Sequence, residues 1–330
     1  MTLAGATALV TGATGFLGGD IVRRLAAEGA RVRALARRPG RDVYIRDVPN
    51  VEIVMGDITD AARMNELAAG CDYVLHCAAA TGGSMTYQRR LNVDGTRSVM
   101  QAAAAARVRR VVHVSTIAVY GYGYTGDVTE DMPQKPGRVP YNVTKSEAEK
   151  VVREVGADNS LPYSIIRPGM IYGPRSGMWT MFMFNLGKRS PTIFLGDGSG
   201  YVHPIYIDDV VDMAVLLLTH PAAAGEAFNC APDPAPTWRE FLGGYSALAG
   251  HQNWRGLPAL PFRIIAPLAE LALTLRGEPQ DVPALIPFLQ GRKTYKMDKA
   301  CRLLGWEARV SLDDGIRRCE PWLREKGLLP

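Results

Sequence analysis

The sequence has little of what builds metal centres or covalent staples. Its 330 residues include 5 cysteines and 5 histidines. Cys71, Cys77, Cys230, Cys301 and Cys319 form no C-x-x-C pair and have no histidine at zinc-ligand spacing, so no metal is expected. An odd, scattered set reads as reduced thiols in a cytosol. Charge of one sign is also scarce: 38 Lys+Arg against 33 Asp+Glu leave +5, with the basic residues dispersed. No compact basic patch exists for a nucleic acid, and a small anionic ligand is charge enough. The longest apolar stretch, Leu257 to Leu275, is broken by Pro261, Arg263, Pro267 and Glu270, which argues against a spanning segment. The opening MTLAGATALVTGATG lacks the basic start and long apolar run of a signal peptide. These absences give the expectation of a soluble, cytoplasmic protein. Repeats and low-complexity tracts are missing as well.

What remains is ordinary globular composition, 47% hydrophobic and 22% charged, at a length that suggests about two domains. Through residue 173, short β-branched runs alternate with Ala-rich helical stretches. Ala6–Val10, Arg31–Ala36, Val51–Met55, Tyr73–Cys77, Val111–Ser115 and Ser164–Arg167 read as strands apolar on both faces. Gly18–Glu28, Ala61–Ala68 and Thr96–Ala106 read as helices. Continuous apolar strands separated by helices predict a parallel sheet covered on both sides, the doubly wound Rossmann-type α/β fold. After Gly173 aromatics, Met, Gly and Pro take over. Pro204–Leu218 reads as a strand and helix returning to the sheet. The expected division is a dinucleotide-binding domain of residues 1–173 and 202–230, with a discontinuous substrate lobe of residues 174–201 and 231–330.

The first motif, Thr11-Gly12-Ala13-Thr14-Gly15-Phe16-Leu17-Gly18, follows a strand and opens a helix. Gly12 permits a tight turn, Gly15 lets the backbone approach a pyrophosphate, and Gly18 allows close helix–strand packing. The spacing is one residue longer than the usual dinucleotide fingerprint. Thr14, Phe16 and Leu17 complete this cofactor-binding turn. The second strand ends in Arg37 and Arg38, where a carboxylate would hold an NAD ribose. Guanidinium groups suit a 2'-phosphate, so NADP(H) is favoured over NAD(H). Beyond the third strand, Asp57 and Ile58 are candidates for the adenine end, although Asp57 could instead cap the following helix. Ala78 and Ala79, after the fourth strand, leave room for cofactor; His76 beside them reads as structural.

Ser115 and Thr116 stand at the C-terminal end of the fifth strand, where ligands sit in open α/β sheets. Tyr141-Asn142-Val143-Thr144-Lys145 opens a helix, and residues four apart share a face. A free Tyr is a poor base at neutral pH. A neighbouring ammonium stabilises its phenolate, so the Tyr141–Lys145 pair can take or give a proton.

Taken in order, these motifs resemble the extended short-chain dehydrogenase/reductase family. Asn92-Val93-Asp94-Gly95-Thr96, Ser115 to Gly121, Arg167 to Pro174, Val202 to Val211 and Asp298 to Trp306 extend the likeness over nearly the whole chain. The resemblance implies Tyr141 as general acid/base and Lys145 as the residue that lowers its pKa and binds the nicotinamide ribose. It implies Thr116 as the hydroxyl orienting the substrate oxygen, with Ser115 buttressing the loop. Asn92 would be structural or water-holding, and Pro168-Gly169-Met170 would line the nicotinamide carboxamide. Relatives are often dimers paired through four helices that include the Tyr141 helix, which implies a homodimer.

The family includes sugar epimerases, dehydratases, and reductases or dehydrogenases of apolar alcohols. Nucleotide-sugar members carry an arginine where this chain has Val202, followed by His203, and a second arginine where it reads Ile286 to Gln290. Trp179, Met181, Phe182, Met183 and Phe184 offer apolar surface instead, which makes Trp179, Phe182 and His203 substrate-binding candidates. Phe262, Ile265, Ala269, Ala272 and Leu275 recur at helical spacing, a stripe that reads first as core. The Arg276-Gly277-Glu278-Pro279 and Tyr295–Ala300 segments resemble the 3β-hydroxysteroid dehydrogenase-like branch. The expectation is an NADP(H)-dependent oxidoreductase interconverting a secondary alcohol and a ketone on an apolar small molecule. The alternatives are an NAD-dependent nucleotide-sugar epimerase or dehydratase, and a non-catalytic dinucleotide sensor.

Overall fold

The computed structural model describes residues 3–275 and 281–329. Seven parallel strands form one sheet, in the order Ala227–Cys230, Tyr163–Pro168, Arg110–Val114, Tyr73–His76, Thr7–Thr11, Arg31–Ala36, Val51–Met55. The sheet is doubly wound as expected. Its strand order reverses between Thr7–Thr11 and Tyr73–His76, which pair with Thr11 opposite His76. That reversal opens a crevice at the C-terminal strand ends, the usual ligand position of such sheets.

The first strand shows why the sequence folds this way. Ala8, Leu9 and Val10 are all fully buried, yet successive side chains point to opposite faces. Ala8 and Val10 pack with Ile21, Val22 and Leu25 of the Phe16–Ala27 helix and with the Ile207–Thr219 helix. Leu9 packs on the other face with Met64 and Leu67 of Ala61–Ala68 and Val99 and Met100 of Gly95–Ala105. Val151 and Val152 of the Pro140–Asp158 helix join that second layer. A strand covered on both faces needs apolar residues at every position, which is the run that the sequence displays.

Two expectations are corrected. Pro204–Tyr206 does not rejoin the sheet; it pairs with Met170–Tyr172 in a separate two-stranded ladder. The seventh sheet strand is Ala227–Cys230, beside Tyr163–Pro168. Its residues AFNC contain no β-branched side chain, so burial against neighbours rather than strand propensity selects it. Secondly, the stripe from Phe262 to Leu275 does form a helix, Ala259–Leu275, but Phe262, Ile265 and Leu275 are exposed rather than core. The Arg276-Gly277-Glu278-Pro279 segment lies outside the described residues.

Candidate active site

The first strand delivers its chain into the glycine turn. Gly12 has φ 68°, a conformation that favours glycine, and a Cβ there would sit 2.7 Å from the Ala78 backbone nitrogen. A Cβ on Gly18 would collide with the Gly12 carbonyl, so Gly18 lets the helix start tight against the strand end. Gly15 is the N-cap of the Phe16–Ala27 helix, and no side chain caps it. Its first-turn N–H groups therefore face the crevice with the positive end of the helix dipole, an arrangement suited to phosphate.

These groups border a cavity of about 300 Å³ at the strand-order reversal. Gly12, Thr14, Gly15, Arg37 and Asp57 line it, as do Ile58, Ala78 and Ala79. Leu35, Tyr87 and Leu91 line it too; sequence reasoning gave no signal for them. Arg38 is exposed beside Arg37 and lies outside that lining. Asp57 does not cap the next helix. Asp60 does, accepting from Arg63 N at 3.0 Å, while Asp57 Oδ1 accepts from the backbone and hydroxyl of Thr59 at 2.9 Å. A glycine turn that no side chain can enter, an uncapped helix end and an arginine at the second strand's end fit a dinucleotide.

Asn92 spends its whole amide on structure. Its Oδ1 accepts from Ala80 N at 2.7 Å, and its Nδ2 donates to Ala80 O and to Thr144 Oγ1 at 2.9 Å. It thus ties the cavity wall to the Pro140–Asp158 helix. His76 is buried between Thr11 Oγ1 at 2.7 Å and Thr96 Oγ1 at 2.9 Å, and burial pushes its pKa down to about 3. It is a neutral structural histidine.

Thr116 and Tyr141 meet through their side chains. Burial pushes the Tyr141 phenol up to about 12, with the Thr116 hydroxyl hydrogen-bonded to it pulling downward. Lys145 is almost wholly buried, which lowers its pKa to about 8, opposed by the Glu149 carboxylate. Its ammonium donates to Val114 O at 2.7 Å and lies 3.3 Å from His113 Nε2. With Lys145 donating, His113 accepts as a neutral ring, and burial beside Lys145 holds its pKa well below the usual histidine range. Ser115 is turned away from the crevice: its hydroxyl donates to Glu149 Oε1 at 2.6 Å. Glu149 in turn grips Arg167 through Nε at 2.9 Å and Nη2 at 2.7 Å.

A second cavity, about 990 Å³, borders Tyr141. Met85, Tyr122, Val139, Val282, Leu285 and Phe288 give it largely apolar walls, and among the described residues its charged side chains are Arg138, Glu270 and Asp281. None of the three substrate candidates lies on it. His203 is buried, with Nε2 2.8 Å from Lys293 O and its ring 4.6 Å from that of Tyr295. Trp179 packs on the core, and Phe182 is exposed elsewhere. Met170 begins the two-stranded ladder with Pro204–Tyr206, and Pro168 and Gly169 lead into it. Val202, at the position compared with an arginine, is completely buried. Tyr122 and Arg138 could have been suspected from their nearness to Thr116 and Tyr141. The wall formed by Glu270 and by residues of 281–288 comes from distant sequence and carries no local signal.

The family model of the NAD dependent epimerase/dehydratase family matches residues 8–231. A UDP-glucose 4-epimerase from Mycolicibacterium smegmatis is 30% identical over 335 residues, covering 96% of this chain and 98% of the relative. A 2-alkyl-3-oxoalkanoate reductase from Stenotrophomonas maltophilia is 29% identical, covering 94% of this chain and 97% of its own. The solved structure of MoeE5 in complex with UDP-glucuronic acid and NAD is 26% identical, with a TM-score of 0.77 over 97% of this chain and 100% of that one. With the sheet and the glycine turn in place, the chain belongs to the NAD(P)-dependent epimerase/dehydratase family, whose members are extended short-chain epimerases, dehydratases and reductases.

Proposed function

We propose that the chain is an NADP(H)-dependent oxidoreductase that interconverts a secondary alcohol and a ketone on an apolar small molecule. The observation that carries this reading is the largely apolar lining of the 990 Å³ cavity beside Tyr141, where among the described residues one guanidinium, Arg138, stands with two carboxylates, Glu270 and Asp281. A diphosphate placed there would lose water without gaining a matching positive charge. An apolar body gains about 25 cal/mol for each Å² removed from water. Buried Val202 adds no cation, and Lys293 is committed to Gly121 O at 2.7 Å.

In this reading the substrate oxygen lies between the Thr116 hydroxyl and the Tyr141 phenol, both donating to it. When bound, the nicotinamide supplies or takes up the hydride. A phenol pushed up to about 12 is protonated throughout the neutral range, which suits an acid that hands its proton to a forming alkoxide. The same group takes the proton back in the reverse direction. Lys145 binds the nicotinamide ribose; its ammonium, held by Val114 O, is not among the groups that shift the Tyr141 phenol. Arg37, exposed and without an ion-pair partner among the described residues, holds the 2'-phosphate, with Arg38 beside it. Residues 174–201 and 231–330 are assigned to the substrate lobe, with Glu270, Asp281, Val282, Leu285 and Phe288 on the cavity that borders Tyr141.

The relative named as a 2-alkyl-3-oxoalkanoate reductase supports a ketone substrate with alkyl substituents; the epimerase relative and MoeE5 support a nucleotide sugar. Titration calorimetry with NADP present separates the two. Bicyclic, steroid-like or long-chain ketones should bind saturably, and UDP and dTDP sugars should not. Micromolar affinity for a nucleotide sugar would overturn the oxidoreductase reading in favour of epimerisation.

A further inference from the structure

The Ala259–Leu275 helix leaves the larger part of its apolar surface facing outward. Leu260 is 68% exposed, Leu268 65% and Leu275 80%, with Ile264, Ile265 and Leu271 all more than half exposed. At 100° per residue, Leu260, Ile264, Leu268, Leu271 and Leu275 fall within one arc of about 80°, and Ile265 and Ala272 widen it to about 140°. Ala266, on the opposite side, is buried, and Glu270 near it lines the cavity beside Tyr141. Within 259–275 the acidic residue is thus turned toward the protein.

The patch continues through the preceding strand, Trp254–Leu257, which pairs with Thr192–Leu195. Leu257 and Ile193 are exposed on one face of this ladder, together with Arg255, while Trp254 is on the other face against Phe194. Arg255 and Arg263 are exposed at the rim of the patch. Neither Arg255 nor Arg263 has an ion-pair partner among the described residues.

We propose that this face docks on an anionic phospholipid bilayer, with the helix lying in the interfacial plane. Three features select lipid over a second copy of the chain. A helix pairing with itself uses a narrow apolar seam, whereas this arc is about 140° wide and is bordered by charge, Arg263, on one side alone. Arg255 and Arg263 at the edge of an aliphatic patch match the headgroup level, where guanidinium groups sit. Without ion-pair partners, these rim arginines complement anionic headgroups. The helix lies on the membrane rather than across it: 17 residues span about 26 Å, and Arg263, Pro267 and Glu270 interrupt them. No helix among the described residues is long and apolar enough to cross a bilayer. The inference is independent of which substrate the cavity takes.

The test is co-sedimentation of the full chain with vesicles of phosphatidylcholine alone or mixed with phosphatidylglycerol, paired with lipid-free analytical ultracentrifugation. Wild type should pellet with the mixed vesicles and be released as salt is raised. Ile264→Glu/Leu268→Glu/Leu271→Glu should partition at least tenfold less while binding NADP(H) as before, which shows that it folds. Arg255→Ala/Arg263→Ala should lose the preference for phosphatidylglycerol. Failure of wild type to pellet with either vesicle would overturn the proposal, as would equal capture by both. A wild-type dimer that the triple variant splits, with neither protein captured by vesicles, would assign the face to a second copy instead.

Discussion

The Glu149–Arg167 pair offers a direct measure of how the site is braced. Its side chains are 1% and 3% exposed, and Arg167 grips both carboxylate oxygens. Ser115 and Gln134 supply two more donors at 2.6 Å each. The arginine holds the carboxyl below its ordinary range despite burial. Glu149→Gln keeps the shape but removes the charge and turns an amide donor toward other donors, leaving a guanidinium buried without compensation. Breaking such a pair costs about 3–5 kcal/mol. With a urea dependence of about 3 kcal/mol per molar, the unfolding midpoint should fall by roughly 1–1.7 M. The pH dependence has a definite sign. Because the folded carboxyl is depressed, its contribution is complete above the unfolded value of about 4.5 and is lost as pH falls through the folded one. Glu149→Gln should therefore flatten the acid limb of the stability profile. Replacing both partners by Met should recover roughly half of the loss, since an apolar pair strands no charge. A Glu149→Gln cost below about 1 kcal/mol, or a double variant no better than the single, would refute the account.

Three further outcomes follow from the site. Tyr141→Phe should lower turnover by roughly 10²- to 10⁴-fold, the usual size of a general acid/base contribution, while a fluorescence titration with NADPH shows nearly unchanged affinity. Arg37→Ala should weaken NADP binding by about 1.5–3 kcal/mol and leave NAD binding little altered; equal losses for both would remove Arg37 from the phosphate. Affinity for NADPH should decline as pH rises through about 8, where buried Lys145 loses its proton, and Lys145→Arg should abolish that decline. An affinity independent of pH between 7 and 9 would show that the ammonium is not a cofactor contact.

The sheet was legible because a strand covered on both faces leaves no room for polar residues, as Ala8, Leu9 and Val10 show. The glycine turn was legible for a different reason: Gly12 stands where the backbone has φ 68° and where the approach of Ala78 excludes a Cβ. Tyr141 and Lys145 could be set together because helical spacing is local geometry. What escaped depends on tertiary neighbours. Ala227–Cys230 becomes a buried edge strand partly because Asn229, fully buried, finds the Tyr120 hydroxyl at 2.9 Å. Ser115 looked like a ligand contact, yet its hydroxyl answers to Glu149, a residue 34 positions away. One wall of the cavity beside Tyr141 comes from Glu270 and from residues of 281–288, which nothing near Tyr141 announces. The Ala259–Leu275 helix makes the limit plainest. Its apolar period states that one face avoids water, but a period carries no information about what covers that face. Protein core, a second chain and lipid all satisfy it equally; the exposure of Leu260, Leu268 and Leu275 excludes this chain's own core, and the vesicle and oligomer measurements decide between the other two.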